Sequence, residues 1–477
     1  RIALVNTNRI VPPIAPIGLD YLAETLRASG HQPEILDLCW EEEAEPAIAK
    51  FLADREFGLV GVSIRNTDDC SFATREDFLP GYADLVRSVR KHTGAPVVLG
   101  GVGFSVMPEV VIAQSGAEAG IWGEGEFAMT ELAGRIEKRR PWNDLPGLLV
   151  RRAGTWRRNP GVYRPLAELP AMGRAFLDNR RYFREGGQAG IETKRGCPRR
   201  CIYCADPLAK GSAVRVRPPR AVADELARLV DQGIDHVHTC DSEFNLPPEH
   251  ALEVCRELID RGLGERLRWY AYCAPVPFPP DLARLMRRAG CVGINFGADS
   301  GDDGMLRRLR RDFTAEDILR TVGLCKEAGI TVMLDLLIGA PGETRDSIIR
   351  SIEAMRKADP DRVGVSAGVR VYPGTEMAGL VADGDRKKGL VGGDDLAKPV
   401  FFLEPEVAPF LFALLDELTR DDDRFLFFDP TRPEKNYNYN ANQVLVDAIR
   451  AGHRGAYWDI LRQVASSRSG SPAPQTR

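Results

Sequence analysis

The densest chemistry in the chain lies in the run Thr193-Lys194-Arg195-Gly196-Cys197-Pro198-Arg199-Arg200-Cys201-Ile202-Tyr203-Cys204-Ala205-Asp206. Cys197, Cys201 and Cys204 are spaced Cys-x₃-Cys-x₂-Cys, too close together for three separate structural roles. Gly196 and Pro198 keep them on a loop after an apolar-alternating strand, and such a loop can wrap one small inorganic centre. A closed structural zinc site takes four ligands, and no Cys-x₂-Cys or His-x₃-His partner follows downstream. Thiolates hold iron–sulfur clusters, and three of them leave one iron of a four-iron cube open to a further ligand. An iron–sulfur centre is therefore expected, with zinc or plain buried thiols as its rivals.

A chain of 477 residues has room for two or three domains around this loop. Its formal charge of −4 gives no nucleic-acid stripe, and the arginine clusters at 150–158 and 307–311 read as solvated surface or local anion contacts. Beyond the loop, Cys39, Cys70, Cys240, Cys255, Cys273, Cys291 and Cys325 are scattered through apolar-periodic segments, the usage of a reduced, cytoplasmic protein. No apolar run approaches the roughly 18 residues of a membrane span. No signal peptide precedes Arg1, and a chain that begins without Met is expected to have lost a few residues.

In the N-terminal third, strand candidates (Ile2–Val5, Pro33–Leu38, Leu59–Arg65, Pro96–Gly101, Ala119–Gly123) alternate with helical runs that begin near Ile17, Ala44, Phe78, Pro108 and Glu126. Helix-length connections between strands imply parallel pairing, hence a doubly wound α/β domain. Ligands of such sheets sit beyond the carboxyl ends of the strands. There lie Pro16-Ile17-Gly18, Ser63-Ile64-Arg65-Asn66, Gly100-Gly101-Val102-Gly103-Phe104 and Gly123-Glu124-Gly125-Glu126. Glycines let a backbone approach a bulky phosphate-bearing ligand, and the helix N-termini behind them favour its charge. Residues 141–190 read as a linker with one hairpin, Gly147–Trp156.

After the cysteine loop the alternation resumes. Helical runs start near Pro219, Pro248, Pro279, Thr314 and Thr344, between strand candidates Ile191–Lys194, His236–Cys240, Arg268–Cys273, Val292–Phe296, Thr331–Ile338 and Arg362–Val371. Six βα steps predict a partial (β/α)₆ barrel, with its chemistry on the loops after the strands. Those loops are Asp241-Ser242-Glu243-Phe244-Asn245, Asn295-Phe296-Gly297-Ala298-Asp299-Ser300, Gly339-Ala340-Pro341-Gly342-Glu343-Thr344 and Tyr372-Pro373-Gly374-Thr375. Each alone reads equally as an ordinary strand-to-helix turn. Tyr270 and Tyr272 point to one side of their strand by period-two alternation, either into a substrate cavity or as half-buried barrel aromatics. Beyond Glu376, Asp383–Asp395 reads as mobile, apolar helices are expected at about Pro405–Leu418 and Gln443–Ala451, and Ser466–Arg477 as a disordered tail. Asn436-Tyr437-Asn438-Tyr439-Asn440 is either a cap over the barrel mouth or an Asn-rich turn.

The cysteine loop, with Tyr203 before its last thiol, resembles the signature of radical S-adenosyl-L-methionine (SAM) enzymes. The glycine turns ahead of it resemble the cobalamin-binding domain of the class B, cobalamin-dependent radical SAM family. The resemblance implies a 4Fe-4S cluster on Cys197, Cys201 and Cys204, cobalamin against Gly18, Ser63, Arg65, Gly100, Gly101, Gly103, Phe104, Gly123, Glu124 and Gly125, and SAM against Glu243, Asp299, Ser300, Gly339 and Tyr372. It implies residues 1–140 as the cobalamin domain, 191–376 as the barrel and 377–465 as a substrate-capping region before the tail 466–477. Two departures matter. No histidine sits in an Asp-x-His-x-x-Gly motif, so the lower face of the cobalt is open or met otherwise, with Arg65 as the candidate unless it pairs with Asp68 or Asp69. The family's Gly-Gly-Glu is replaced by Asp241-Ser242-Glu243, which keeps the acid either for the SAM amine or as a ligand to the open iron.

The Ser-Ile-Arg-Asn, Asp-Ser-Glu-Phe-Asn and Tyr-Pro-Gly-Thr segments and the Asn/Tyr run are most similar to the tryptophan 2-C-methyltransferases of thiopeptide biosynthesis. That resemblance implies methyl transfer from SAM by way of cobalamin to C2 of L-tryptophan, without a deoxyadenosyl radical, and the need for an electron donor. Glu243, Arg65, Tyr270 and Tyr272 are its candidate catalytic residues. The alternatives are radical methylation of an unactivated carbon, ring contraction or cyclisation, and a cobalamin or redox sensor. A methylthiotransferase would need a second cysteine triad, and the N-terminal third has only Cys39 and Cys70.

Overall fold

The structure is a computed structural model that describes residues 1–382, 384–427 and 440–468. Its first sheet has seven strands in the order β2-β1-β3-β4-β5-β6-β7: β1 (Ile2–Asn6), β2 (Pro33–Asp37), β3 (Leu59–Ser63), β4 (Val97–Gly100), β5 (Ala119–Ile121), β6 (Leu148–Arg152) and β7 (Thr155–Arg158). The first five pair in parallel, with helices such as Ile17–Ala28 and Leu79–Lys91 between them. Apolar side chains cover both faces, as a parallel sheet requires. The hairpin read as part of a linker pairs antiparallel with β5 and so lengthens this sheet, because Leu148, Leu149 and Val150 are buried in it.

β8 (Ala189–Ile191) begins the second sheet, and the two-residue ribbon β9 (Lys194–Arg195) with β10 (Arg215–Val216) brackets the cysteine loop. Then come β11 (His236–Thr239), β12 (Arg268–Cys273), β13 (Cys291–Asp299), β14 (Thr331–Ile338) and β15 (Arg362–Ala367). β16 (Val369–Arg370), β17 (Leu390–Val391) and β18 (Phe401–Phe402) form a small antiparallel sheet, and β19 (Phe425–Phe427) is the last strand. The large sheet runs β8-β11-β12-β13-β14-β15-β19, all parallel. The expected six strands are thus joined by a seventh, too short to show a period in the sequence.

Strand alternation sorts the barrel wall. Trp269, Ala271 and Cys273 of β12 and Val332, Leu334, Leu336 and Ile338 of β14 face the helices. Tyr270, Val292 and Met333 face inward and meet Ala456 and Trp458, which plug the N-terminal end of the barrel. The C-terminal region departs from expectation in two places. Leu390–Val391, inside the stretch read as mobile, is paired with Phe401–Phe402, and helix Tyr457–Arg468 runs into the segment read as a tail. Residues 436–439, from the Asn/Tyr run, and 469–477 lie outside the described residues.

Buried ion pairs lock the two sheets together. Arg195 of β9 pairs with Glu126 of the first domain at 2.6 Å, Arg370 of β16 with Asp68 at 2.8 Å, and Arg174 with Asp20 at 3.0 Å and Glu225 at 2.8 Å. Removing one member of such a pair leaves a charge in the interior. Asp68→Ala is expected to lose about 3–5 kcal/mol of stability in urea unfolding, whereas Asp84→Ala, in an exposed pair with Arg87, loses about 0–1 kcal/mol.

Candidate active site

The carboxyl ends of β1, β3, β4 and β5 open on a cavity of about 420 Å³. Gly18, Ser63, Arg65, Gly100, Gly101, Gly123, Glu124 and Gly125 line it, and the far wall comes from the barrel half: Glu192, Arg195, Lys210 and Cys240. Two glycines shape the wall by close packing. Gly101 has φ +97°, and a Cβ there would meet the Ile64 carbonyl at 2.5 Å; one on Gly103 would meet the backbone of Arg65 and Asn66 at 2.9 Å. Gly103 therefore seats the Arg65 segment without lining the cavity itself. Phe104, expected at the ligand, is a correction: it is fully buried, with its ring filling the space over Gly120.

Arg65 borders the cavity with no carboxylate partner among the described residues. Asp68 is taken by Arg370, and Asp69 accepts from Ser71 N, Glu76 N and Thr74 Oγ1. Burial pulls the Arg65 guanidinium below its usual range, partly offset by Tyr457, Cys240, Tyr82 and Tyr272 around it. Among the described residues no histidine lines the cavity. A wide glycine-rimmed hollow with a guanidinium that has no carboxylate partner among the described residues fits a large corrin that takes no imidazole from the protein, because guanidinium is a poor metal donor.

The loop after β11 is fixed at both ends. Asp241 accepts from Thr193 N at 2.8 Å, Thr193 Oγ1 at 2.6 Å and Lys194 N at 3.1 Å, which ties it to the strand before the cysteines. Asn245 exchanges hydrogen bonds of 2.9 Å with the Ala274 backbone, and Phe244 N donates to Tyr272 O at 2.7 Å. Between these anchors Glu243 meets Arg199 Nε at 2.6 Å and Arg311 Nη2 at 3.7 Å. Arg311 Nη1 lies 2.9 Å from Cys201 Sγ, and its Nε lies 3.3 Å from Asp299, which also accepts from Tyr203 Oη at 2.6 Å. Arg311 is thus one of the anion contacts in the 307–311 cluster, buried rather than solvated. Neither it nor Arg199 was singled out from the sequence, where only Arg199's place inside the cysteine loop was a signal.

Burial raises all three loop thiols. Cys204 reaches about 12 through burial and then Asp206, and the Glu243 charge adds to the rise at Cys197 and Cys201. Metal binding must therefore displace protons from poor thiolates, and three soft donors around a carboxylate and two guanidiniums suit an iron–sulfur cluster.

The other expected residues separate. Asp299 joins Arg311 and Tyr203 beside the loop. Tyr272 is 40% exposed though enclosed by protein, so its ring faces an interior hollow. Tyr270 is a correction: it is 2% exposed, donates to Asp459 at 2.8 Å and meets Trp458 edge to face in the barrel plug. Ser300 is engaged with Ser351 Oγ at 2.9 Å, and Gly339, at φ +96°, packs under Leu403. Tyr372 meets Cys70 Sγ at 3.1 Å and Arg370 at the joint between the sheets.

A corrin-sized hollow at the strand ends of a doubly wound sheet, closed by a partial barrel that carries three clustered thiols, defines a cobalamin-dependent radical SAM protein. Comparisons agree. The radical SAM superfamily matches residues 191–365 and the B12-binding domain residues 4–133. Tryptophan 2-C-methyltransferase of Streptomyces laurentii is 34% identical over 446 residues, 80% of this chain and 74% of that protein. The radical SAM methyltransferase TsrM of Kitasatospora setae, solved with tryptophan and a SAM analogue, is 31% identical with a TM-score of 0.88, covering 98% of this chain and 99% of that one. The same protein with cobalamin and a 4Fe-4S cluster superposes with a TM-score of 0.86. The chain belongs to this tryptophan 2-C-methyltransferase family of cobalamin-dependent radical SAM methyltransferases.

Anaerobic reconstitution should load one 4Fe-4S cluster, and Cys197→Ala, Cys201→Ala and Cys204→Ala should each abolish its visible absorption; zinc in place of iron would contradict the site. Electron paramagnetic resonance of the Co(II) form should show no nitrogen splitting from the protein, and Arg65→Lys should alter that spectrum.

Proposed function

We propose that this chain methylates C2 of the indole of L-tryptophan, with SAM as methyl source, in the making of a thiopeptide-type antibiotic. The observation that carries the reading is Glu243, held by Arg199 and Arg311 beside the cysteine loop. When bound, the cobalamin relays the methyl group of SAM to the acceptor carbon, and the cluster serves electron transfer. In this reading the Glu243 carboxylate would fill the iron position that three cysteines leave open. SAM would then be kept from chelating the cluster through its amino acid end, and would serve as a methyl donor rather than a radical source.

That chemistry suits an electron-rich aromatic carbon, which supplies its own electron pair. It does not suit an unactivated sp³ carbon, from which a hydrogen atom must first be taken. Sequence identity of 34% to a tryptophan enzyme and a like fold over 98% of the chain support tryptophan as the acceptor. A low-potential electron donor keeps the cobalt reduced, and a reducing cytoplasm is the compartment that fits ten free cysteines. Among the described residues no helix is long and apolar enough to cross a membrane.

Enzyme reconstituted with cobalamin and cluster, given reductant, methyl-labelled SAM and tryptophan, should yield labelled 2-methyltryptophan and S-adenosylhomocysteine with little 5′-deoxyadenosine. Stoichiometric 5′-deoxyadenosine would return the protein to the radical branch. No methylated tryptophan would reject the substrate.

A further inference from the structure

We propose that Asp335 is the general base of the reaction, accepting the proton that the aromatic carbon loses when it is methylated. This rests on the tryptophan reading above. Replacing C–H by C–CH₃ leaves one proton over: the arene supplies the electron pair of the new bond, the methyl group's old bonding pair stays with the donor, and the ring regains aromaticity by releasing H⁺. No oxidant or reductant is consumed in that step. The barrel must provide an acceptor for the proton, and the acids nearest the cysteine loop are engaged. Glu243 is held by two guanidiniums, and Asp299 by Arg311 and Tyr203.

Asp335 sits midway along β14, whose neighbours Leu334 and Leu336 face the helices, so its side chain points into the barrel. Below it the floor is Met333, Tyr270, Val292 and Trp458. Above it are Asp299 and the cysteine loop. Tyr272 lies opposite Asn295, and Asp335, opposite Gly297, is the next inward-facing position along β14, with Asn295 and Tyr272 as its polar neighbours. These side chains communicate with the strand-end cavity, since Tyr272 adjoins Arg65 and Cys240 and both of those line it.

Among the described residues Asp335 has no cation, and its Oδ1 and the Oδ1 of Asn295 are buried without a hydrogen-bond partner. A carboxylate in such a place is destabilising unless something binds there, and the pair of open acceptors asks for an N–H or C–H⁺ donor. Asn295 lies within reach of the carboxyl and favours its charged form, Asp299 opposes it, and Tyr272 is the titratable group facing it from β12. Burial dominates and lifts Asp335 from 3.8 to about 7, near the pH where a base is both available and strong enough to act.

Asp335→Asn and Asp335→Glu in the fully loaded enzyme test this. The Asn variant should lose roughly 10²–10⁴-fold in kcat with KM for tryptophan and SAM within a few-fold. The wild-type rate should rise with pH through about 7, a limb that the Glu variant keeps and the Asn variant lacks. A melting series adds a readout without turnover. The folded-state value lies above the unfolded one, so the native protein binds more protons between them, and this contribution to stability is lost as pH rises through about 7. The Tm of Asp335→Asn relative to wild type should therefore climb between about pH 4 and about pH 7 and level off above. Unchanged kcat, or a KM rise with kcat intact as for a substrate-ammonium contact, would overturn the assignment. No 2-methyltryptophan from the wild type would instead refute the substrate and this role with it.

Discussion

Glu243 holds one oxygen against Arg199 and the other towards Arg311, whose Nη1 lies 2.9 Å from Cys201 Sγ. Two guanidiniums around one buried carboxylate hold it in place, as a fixed ligand position requires. The anchors of its loop explain why it stays there: Asp241 bonds the strand that leads into the cysteines, and Asn245 bonds the segment after β12. Five residues thus span from one barrel strand to the next with Glu243 at the centre. In the proposed reading, the choice between SAM as radical source and SAM as methyl donor depends on this one side chain.

The second requirement is that two separate sheets present their strand ends to one hollow. Buried pairs enforce it, since Arg195 with Glu126 and Arg370 with Asp68 each tie a barrel residue to the first domain. Arg195 also lines the cavity and immediately precedes Gly196 of the cysteine loop, so one residue couples the cavity wall to that loop. Such pairs are weak sources of net stability. Their value is in fixing the relative placement of two ligand sites that must exchange a methyl group.

Much of this was legible in the residues. Alternating strand and helix signals located the parallel strands, and Thr331–Ile338 is read to the residue because its ends are marked by glycine turns. The glycine positions around the cavity followed from where strand ends must lie. What escaped depends on partners distant in sequence. Phe104 sits in a glycine turn, yet its ring points into the core because Gly120 leaves room for it. Tyr270 and Tyr272 share a face, yet Trp458, from the other end of the chain, covers only the first. Arg311 looks like one more surface arginine until Asp299, Glu243 and Cys201 are brought to it by three different strands and loops. Asp335 is invisible for the same reason: a single acid in an apolar strand gains meaning only from the layer around it.

Whether the amino acid end of SAM reaches the cluster decides between the two uses of SAM. Electron–nuclear double resonance on the reduced cluster, with SAM labelled at its amino nitrogen and carboxylate oxygens, measures this directly. Glu243 as the occupant predicts a cluster signal without strong coupling to either label, and new coupling in Glu243→Ala. Strong nitrogen and oxygen coupling in the unaltered protein would contradict that role and make Glu243 a neighbour of bound SAM.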